Sequence, residues 1–293
     1  MNAFMKKSLL ASGIVALAFF FSAPLSAEEL EMVNRPVNAA GLTGLLFTST
    51  PYVLPPKTVE IGAGVLSENS AEPHYSLAQY RTHITIGISP GMELAVKGSY
   101  SRREISPPMG ITEHEMGDTE VSWKWNFRPQ KESSAFPALA MIITGIAPTS
   151  DEDKELNNVV HWGSRLGISA GREIVWDEHV LGIYAETQVA VQDLSDPRYR
   201  DRYSVTNAGM LFPISKYRNL QLLVEYTVVS GRDVHTKSNL TPDDMDYTAV
   251  TYGIRLVSEK FNLTMGTQLL HKEEVEVAYK DSSRVIGMMS IKF

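Results

Sequence analysis

From residue 58 to the end of the chain, apolar and polar side chains alternate with a period of two in one short run after another. A strand sends successive side chains to opposite faces, so this period predicts strands that separate two unlike environments. In the last run Val285, Gly287, Met289, Ile291 and Phe293 share one face, and Ile286, Met288, Ser290 and Lys292 share the other. Upstream, Met92, Leu94, Val96, Gly98 and Tyr100 alternate with Glu93, Ala95, Lys97 and Ser99. Val121, Trp123, Trp125 and Phe127 alternate in the same way with Glu120, Ser122, Lys124 and Asn126. Together such runs predict twelve strands, at 58–66, 80–88, 92–100, 118–127, 138–147, 161–172, 179–191, 203–213, 219–230, 248–257, 262–271 and 283–293.

The predicted connections alternate in length. Ser89 to Gly91, Ile174 to Glu178, Ile214 to Arg218 and Ser258 to Phe261 are brief, and residues 128–137 are the one long connection on that side. Ser67 to Gln79, Ser101 to Gly117, Pro148 to Val160, Gln192 to Arg202 and Gly231 to Tyr247 are long and polar. Short turns at one end and long loops at the other are what a closed antiparallel membrane barrel shows. No run after residue 27 reaches the ~18 consecutive apolar residues of a membrane helix. In hydrocarbon an open sheet would leave two edges of unpaired backbone groups, so the first and last strands are expected to pair. Period two also fits a soluble sandwich or lipocalin-like barrel with its apolar face packed inward. Against that stand the loop asymmetry and the aromatic residues near strand ends, Tyr100, Trp123, Trp125, Phe127, Tyr203, Tyr226 and Tyr252, placed to form interfacial girdles. The expected fold is all-β, a transmembrane antiparallel up-and-down barrel of twelve strands.

The N-terminus adds a compartment. Lys6 and Lys7 precede an apolar stretch from Leu9 to Phe21 and a small-residue region from Ser22 to Ala27, the layout of a secretory signal peptide. The expected divisions are 1–27 as signal peptide, 28–57 as a periplasmic segment or plug, and 58–293 as the barrel. Losing Lys6 and Lys7 with the leader takes the formal charge from −7 to −9, with 25 basic against 34 acidic groups, which speaks against a nucleic-acid partner. The chain has no Cys, so it has neither disulfides nor thiolate metal ligands.

Two short stretches carry resemblances. The alternating final strand that ends on Phe293 resembles the C-terminal signature of outer-membrane barrels, which implies recognition by the outer-membrane assembly machinery. Before the first strand stand Gly41, Leu42, Gly44, Leu45, Thr50, Pro51, Leu54 and Pro55. This run resembles the mature N-terminus of bacterial outer-membrane transporter barrels, including those grouped with phenol-degradation (MetA-pathway) proteins, and that resemblance implies uptake. Physically, a Gly- and Thr-rich apolar segment is suited to folding into the barrel mouth or to lying along its rim.

Strand phase sends Glu93, Lys97, Glu120, Lys124, Arg165, Glu186, Glu225 and Arg255 toward the lumen, and these are the candidate lumen-lining residues. Charges of both signs either pair across a narrow barrel and close it or line a water-filled path. The expected function is a narrow outer-membrane pore or uptake channel for small solutes, apolar or aromatic ones included. A structural or envelope-assembly barrel without transport is the alternative. A lipid hydrolase is a third class, because His74 and Ser76 have nucleophile-and-base spacing, although no third orienting residue accompanies them. No catalytic residue or cofactor is assigned. Glu113, His114 and Glu115, and Asp243, Asp244 and Asp246, lack the spacing of a defined metal site. Outer-membrane lipids and lipopolysaccharide are the expected surroundings.

Overall fold

The computed structural model describes residues 35–70, 75–105, 111–131, 135–149, 160–176, 179–194, 202–214, 219–230, 233–234, 243–244, 246–272 and 281–293. The expected signal peptide, residues 28–34 and His74 lie outside them. Among the described residues no helix is long and apolar enough to cross a membrane.

Twelve strands form one closed antiparallel sheet. They are β1 (Val59–Ser70), β2 (Tyr75–Ser89), β3 (Met92–Ile105), β4 in two pieces (Ile111–Met116 and Thr119–Arg128), β5 (Ala138–Ala147) and β6 (Val160–Trp176). The second half comprises β7 (His179–Leu194), β8 (Arg202–Pro213), β9 (Leu220–Ser230), β10 (Tyr247–Val257), β11 (Phe261–Lys272) and β12 (Asp281–Lys292). Each pairs with its neighbours in sequence, and β1 pairs with both β2 and β12, so Ile61 lies opposite Ile84 on one side and Ile291 on the other. Closure leaves no unpaired edge, which is the condition for crossing hydrocarbon. The barrel is therefore the all-β, up-and-down architecture that the alternation predicts.

Several strands run further than the hydrophobic alternation reaches. The stretches expected as loops at Ser67 to Gln79 and Ser101 to Gly117 are largely ladder, because β1 continues to Ser70, β2 begins at Tyr75 and β3 reaches Ile105. Beyond the apolar band both faces of a strand meet water, so the alternating signal fades while backbone pairing continues.

The outer face is apolar. Ile61, Val65, Ile84, Val96, Trp125, Leu166, Ile168, Val189, Tyr252, Met265, Val285 and Met289 are all exposed. An apolar surface that encircles the molecule belongs in a bilayer. Inward positions alternate with these and are polar or small: Glu60, His83, Glu93, Ser122, Lys124, Thr144, Ser169, Glu186, Gln221, Glu225, Thr251 and Arg255 are buried.

A bulge in β4 sets one part of this phase. Tyr100 of β3 lies opposite Met116, but Lys97 lies opposite Glu120, a shift of one residue across Gly117 and Asp118. An extra residue in one strand turns its side chains to the other face. Met116 is thereby outward, whereas Glu120 turns inward to meet Lys97.

Placed mid-wall and 54% exposed, Ile168 tests the orientation of the sheet. Ile168→Arg is expected to cost about 2–4 kcal/mol of folding stability in lipid vesicles, read from denaturant titration. In a water-soluble barrel the same change would be near neutral.

Candidate functional site: the barrel interior

The chain before β1 lies inside the barrel, and its local order comes from one side chain. The buried Asn38 side chain accepts hydrogen bonds from the N–H groups of Ala40 and Leu42 and donates to Ser49 Oγ at 3.1 Å. Gly41 takes φ +80°, a conformation that costs glycine little, and closes the turn from Asn38. Single bridges from Val37 to Thr43 and from Gly44 to Ser49 complete a compact knot of backbone.

The knot satisfies some of its own peptide groups, such as Ala39 N with Leu46 O and Leu45 N with Thr48 O, and the wall supplies partners for others. Glu225 of β9 accepts the N–H groups of Leu46, Phe47 and Thr48 at 3.0, 3.0 and 2.7 Å. Glu93 of β3 accepts Thr43 N at 2.9 Å, Thr43 Oγ1 at 2.5 Å and Leu54 N at 2.9 Å. Glu186 of β7 accepts Ser49 N at 2.8 Å, and Glu60 of β1 accepts Val37 N at 3.1 Å. Cations take the carbonyls. Lys124 of β4 donates to Thr43 O and Thr50 O at 2.9 and 3.1 Å, and Arg255 of β10 donates to Gly44 O and Leu45 O at 2.9 and 2.6 Å. Lys124 also pairs with Glu93 at 2.8 Å, with both side chains fully buried. At the segment's start, Arg35 pairs with Glu173 of β6 and lies over the Tyr52 ring. Burial pushes the Tyr52 phenol above its ordinary pKa, partly offset by Arg35 and Arg172. It stays a neutral donor to Gln130 at 2.6 Å.

Small wall residues make the space. Gly253 and Gly266 face each other across β10 and β11, and a Cβ on either would meet Leu46 Cδ1, at 2.9 and 2.6 Å. Leu45 lies over Gly209 and the backbone of Leu54 and Pro55 over Gly87 in the same manner. Leu45, Leu46 and Tyr52 join Leu66, Ala138, Val180, Tyr184, Leu211, Leu223 and Ile286 in one buried apolar cluster.

Toward the loop end of the barrel a second group of charges stands clear of the knot. Lys97 of β3 pairs with Glu120 of β4 at 2.8 Å, and Arg165 of β6 pairs with the other oxygen of Glu120. These three side chains are 12%, 15% and 19% exposed, whereas Lys124 and Glu93 below them are 0%.

The eight charged residues singled out from the sequence thus separate into two groups. Glu93, Lys124, Glu186, Glu225 and Arg255 hold peptide groups of the inner segment, and Lys97, Glu120 and Arg165 form the group nearer the loops. Glu173, Arg35 and Arg81 escaped the sequence reading. Arg81 shares the period-two phase of His83, and Glu173 that of Arg165, so continuing each alternation by one or more steps would have found both. Arg35 gives no sequence signal. Of the loop clusters, His114 Nδ1 lies 2.8 Å from the Tyr100 hydroxyl and Asp246 accepts from Ser230. The side chains of Glu113, Glu115, Asp243 and Asp244 lie outside the described residues. Among the described residues no three His, Asp or Glu side chains are grouped to hold a metal ion.

Fold and interior define a transmembrane β-barrel of the outer-membrane type with its own N-terminal segment seated inside. No protein-family model and no curated protein sequence matches the chain. Among solved structures it is similar to an outer membrane channel from Pseudomonas putida F1, at 12% identity and TM-score 0.64, over 83% of this chain and 98% of the other. The KdgM porin, solved with disordered oligogalacturonate, aligns at 8% identity and TM-score 0.50 over 80% and 99% of the two chains. LpxR from Salmonella typhimurium aligns at 11% identity and TM-score 0.50 over 80% and 99%. At such identities the likeness is one of fold.

Replacing Glu225 by Gln keeps the shape but turns one acceptor oxygen into a donor facing backbone N–H groups. Exchange of the Leu46, Phe47 and Thr48 amide hydrogens is expected to quicken by roughly tenfold or more, the equivalent of about 1–3 kcal/mol for a buried partner left unsatisfied.

Proposed function

We propose that this protein is a narrow outer-membrane channel for the uptake of small solutes, with residues 35–57 acting as a plug in its turn-side half. The reading rests on one observation: the inner segment is held by hydrogen bonds to side chains rather than by strand pairing. Side-chain bonds can be exchanged without unzipping the wall. A twelve-strand barrel lies between eight strands, which side chains fill, and sixteen or more, which leave an aqueous channel. An inserted segment is a means of narrowing such a lumen. The fold shared with the Pseudomonas putida channel supports the reading by analogy. The resemblance of Gly41 to Pro55 to transporter barrels grouped with phenol degradation supports solutes with apolar or aromatic bodies.

On this reading the first residues are a cleaved signal peptide, and Phe293 presents the last strand to the assembly machinery. The apolar wall lies among outer-membrane lipids and lipopolysaccharide. Catalysis has no part in it.

The test is conductance in planar bilayers of the full chain, of Glu225→Ala, and of a barrel lacking residues 36–54. The full chain is expected to give small unitary conductance, Glu225→Ala more frequent or larger openings, and the truncated barrel the largest. If none conducts while all show intact β-structure by circular dichroism, the channel reading is wrong.

A further inference from the structure

Among the described residues the charges above the inner segment do not balance. Arg81, Lys97 and Arg165 all project into the lumen there, and Glu120 is the one carboxylate in contact with any of them among the described residues. Lys97 and Arg165 already share Glu120. Arg81 donates through Nε and Nη2 to the neutral Gln79 side chain at 2.9 and 2.6 Å and, among the described residues, forms no ion pair with a carboxylate. Glu186 is within electrostatic reach of Arg165 and adds a second negative charge, so three cations stand against two carboxylates; its oxygens accept from Ser49 N, Gln188 and Asn207. The nearby Arg284 is paired with Glu68 at 2.7 Å and adds no surplus.

The register brings the three cations together. Arg81 lies opposite Ser99, and His83 opposite Lys97, so Arg81 and Lys97 are diagonal neighbours on the inner faces of β2 and β3. The β4 bulge turns Glu120 inward beside Lys97, and Arg165 reaches Glu120 across β5. Arg165 Nε is buried without a hydrogen-bond partner. Like charges held this close in a low-dielectric lumen repel, and the repulsion is relieved when an anion sits among them. Lys97 and Arg165 are partly exposed, so solvent reaches part of each side chain.

We infer that Arg81, Lys97 and Arg165 form a binding site for the carboxylate group of a small organic anion at the floor of the loop-side vestibule. The inference rests on the channel reading for its role in transport, though the site itself does not. A planar guanidinium with N–H groups to spare and a nearby ammonium are the donors that a carboxylate accepts. Glu120 holds Lys97 and Arg165 in place without cancelling the charge, and the apolar body of the solute stays in the vestibule above.

Fluorine NMR on the full-length protein in detergent tests this with trifluoroacetate and its neutral analogue trifluoroethanol. Trifluoroacetate lines are expected to broaden in proportion to protein, and Arg81→Gln and Lys97→Gln each to weaken binding about tenfold, as loss of a charged hydrogen-bond donor does. Lys260→Gln, on an exposed turn, should leave binding unchanged, as should each variant for trifluoroethanol. Trifluoroacetate broadened no more than trifluoroethanol, or equally in the Arg81 and Lys97 variants, means an adventitious ion only and overturns the site. Conductance separates the two readings: binding in a barrel that never conducts refutes the channel but keeps the site, and conductance without carboxylate binding does the reverse.

Discussion

A stretch of chain without regular structure can lie inside a barrel only if its peptide groups find partners there. The wall offers few backbone groups, Gly87 O to Lys57 N being one, because its strands pair with one another on both sides. Side chains must do it, and the buried ones that can accept several N–H groups at once are carboxylates. Glu225, Glu93, Glu186 and Glu60 meet this requirement, with Lys124 and Arg255 serving the carbonyls. The same demand, applied to the outer surface, closes the sheet on itself through β1 and β12. Much of the architecture follows from satisfying backbone polarity in two places that exclude water.

Charge inside the barrel consequently has two uses. Below, acids and bases are fully buried and committed to peptide groups and to each other, a costly arrangement unless every lone pair and proton is engaged. Above, Lys97, Glu120 and Arg165 are partly solvated and paired with one another, and Arg81 stands beside them with no ion pair of its own among the described residues. Their separation depends on the bulge at Gly117 and Asp118. Without its extra residue Glu120 would point at lipid.

The wall was legible in the sequence because its two faces meet such different surroundings that alternation survives in nearly every strand. The run 138–147 coincides with β5 to the residue. Legibility failed where the surroundings stop differing, at the loop-side ends of β1, β2 and β3. Inward phase could be read for Glu93 or Arg255, but what each would touch could not. Their partners lie in a segment with no period, more than a hundred residues away for Arg255 and Glu225. Nor does the sequence show that Gly253 and Gly266, on facing strands, make room for Leu46.

The inner segment bonds to β1, β2, β3, β4, β6, β7, β9 and β10, so its attachments reach opposing walls like spokes from a hub. A thin cylinder in a membrane yields to lateral pressure by becoming elliptical. With spokes fixed on opposing walls, flattening along any diameter must stretch some of them and compress others. The segment therefore braces the cylinder against flattening, and releasing it would soften the shape of the space above.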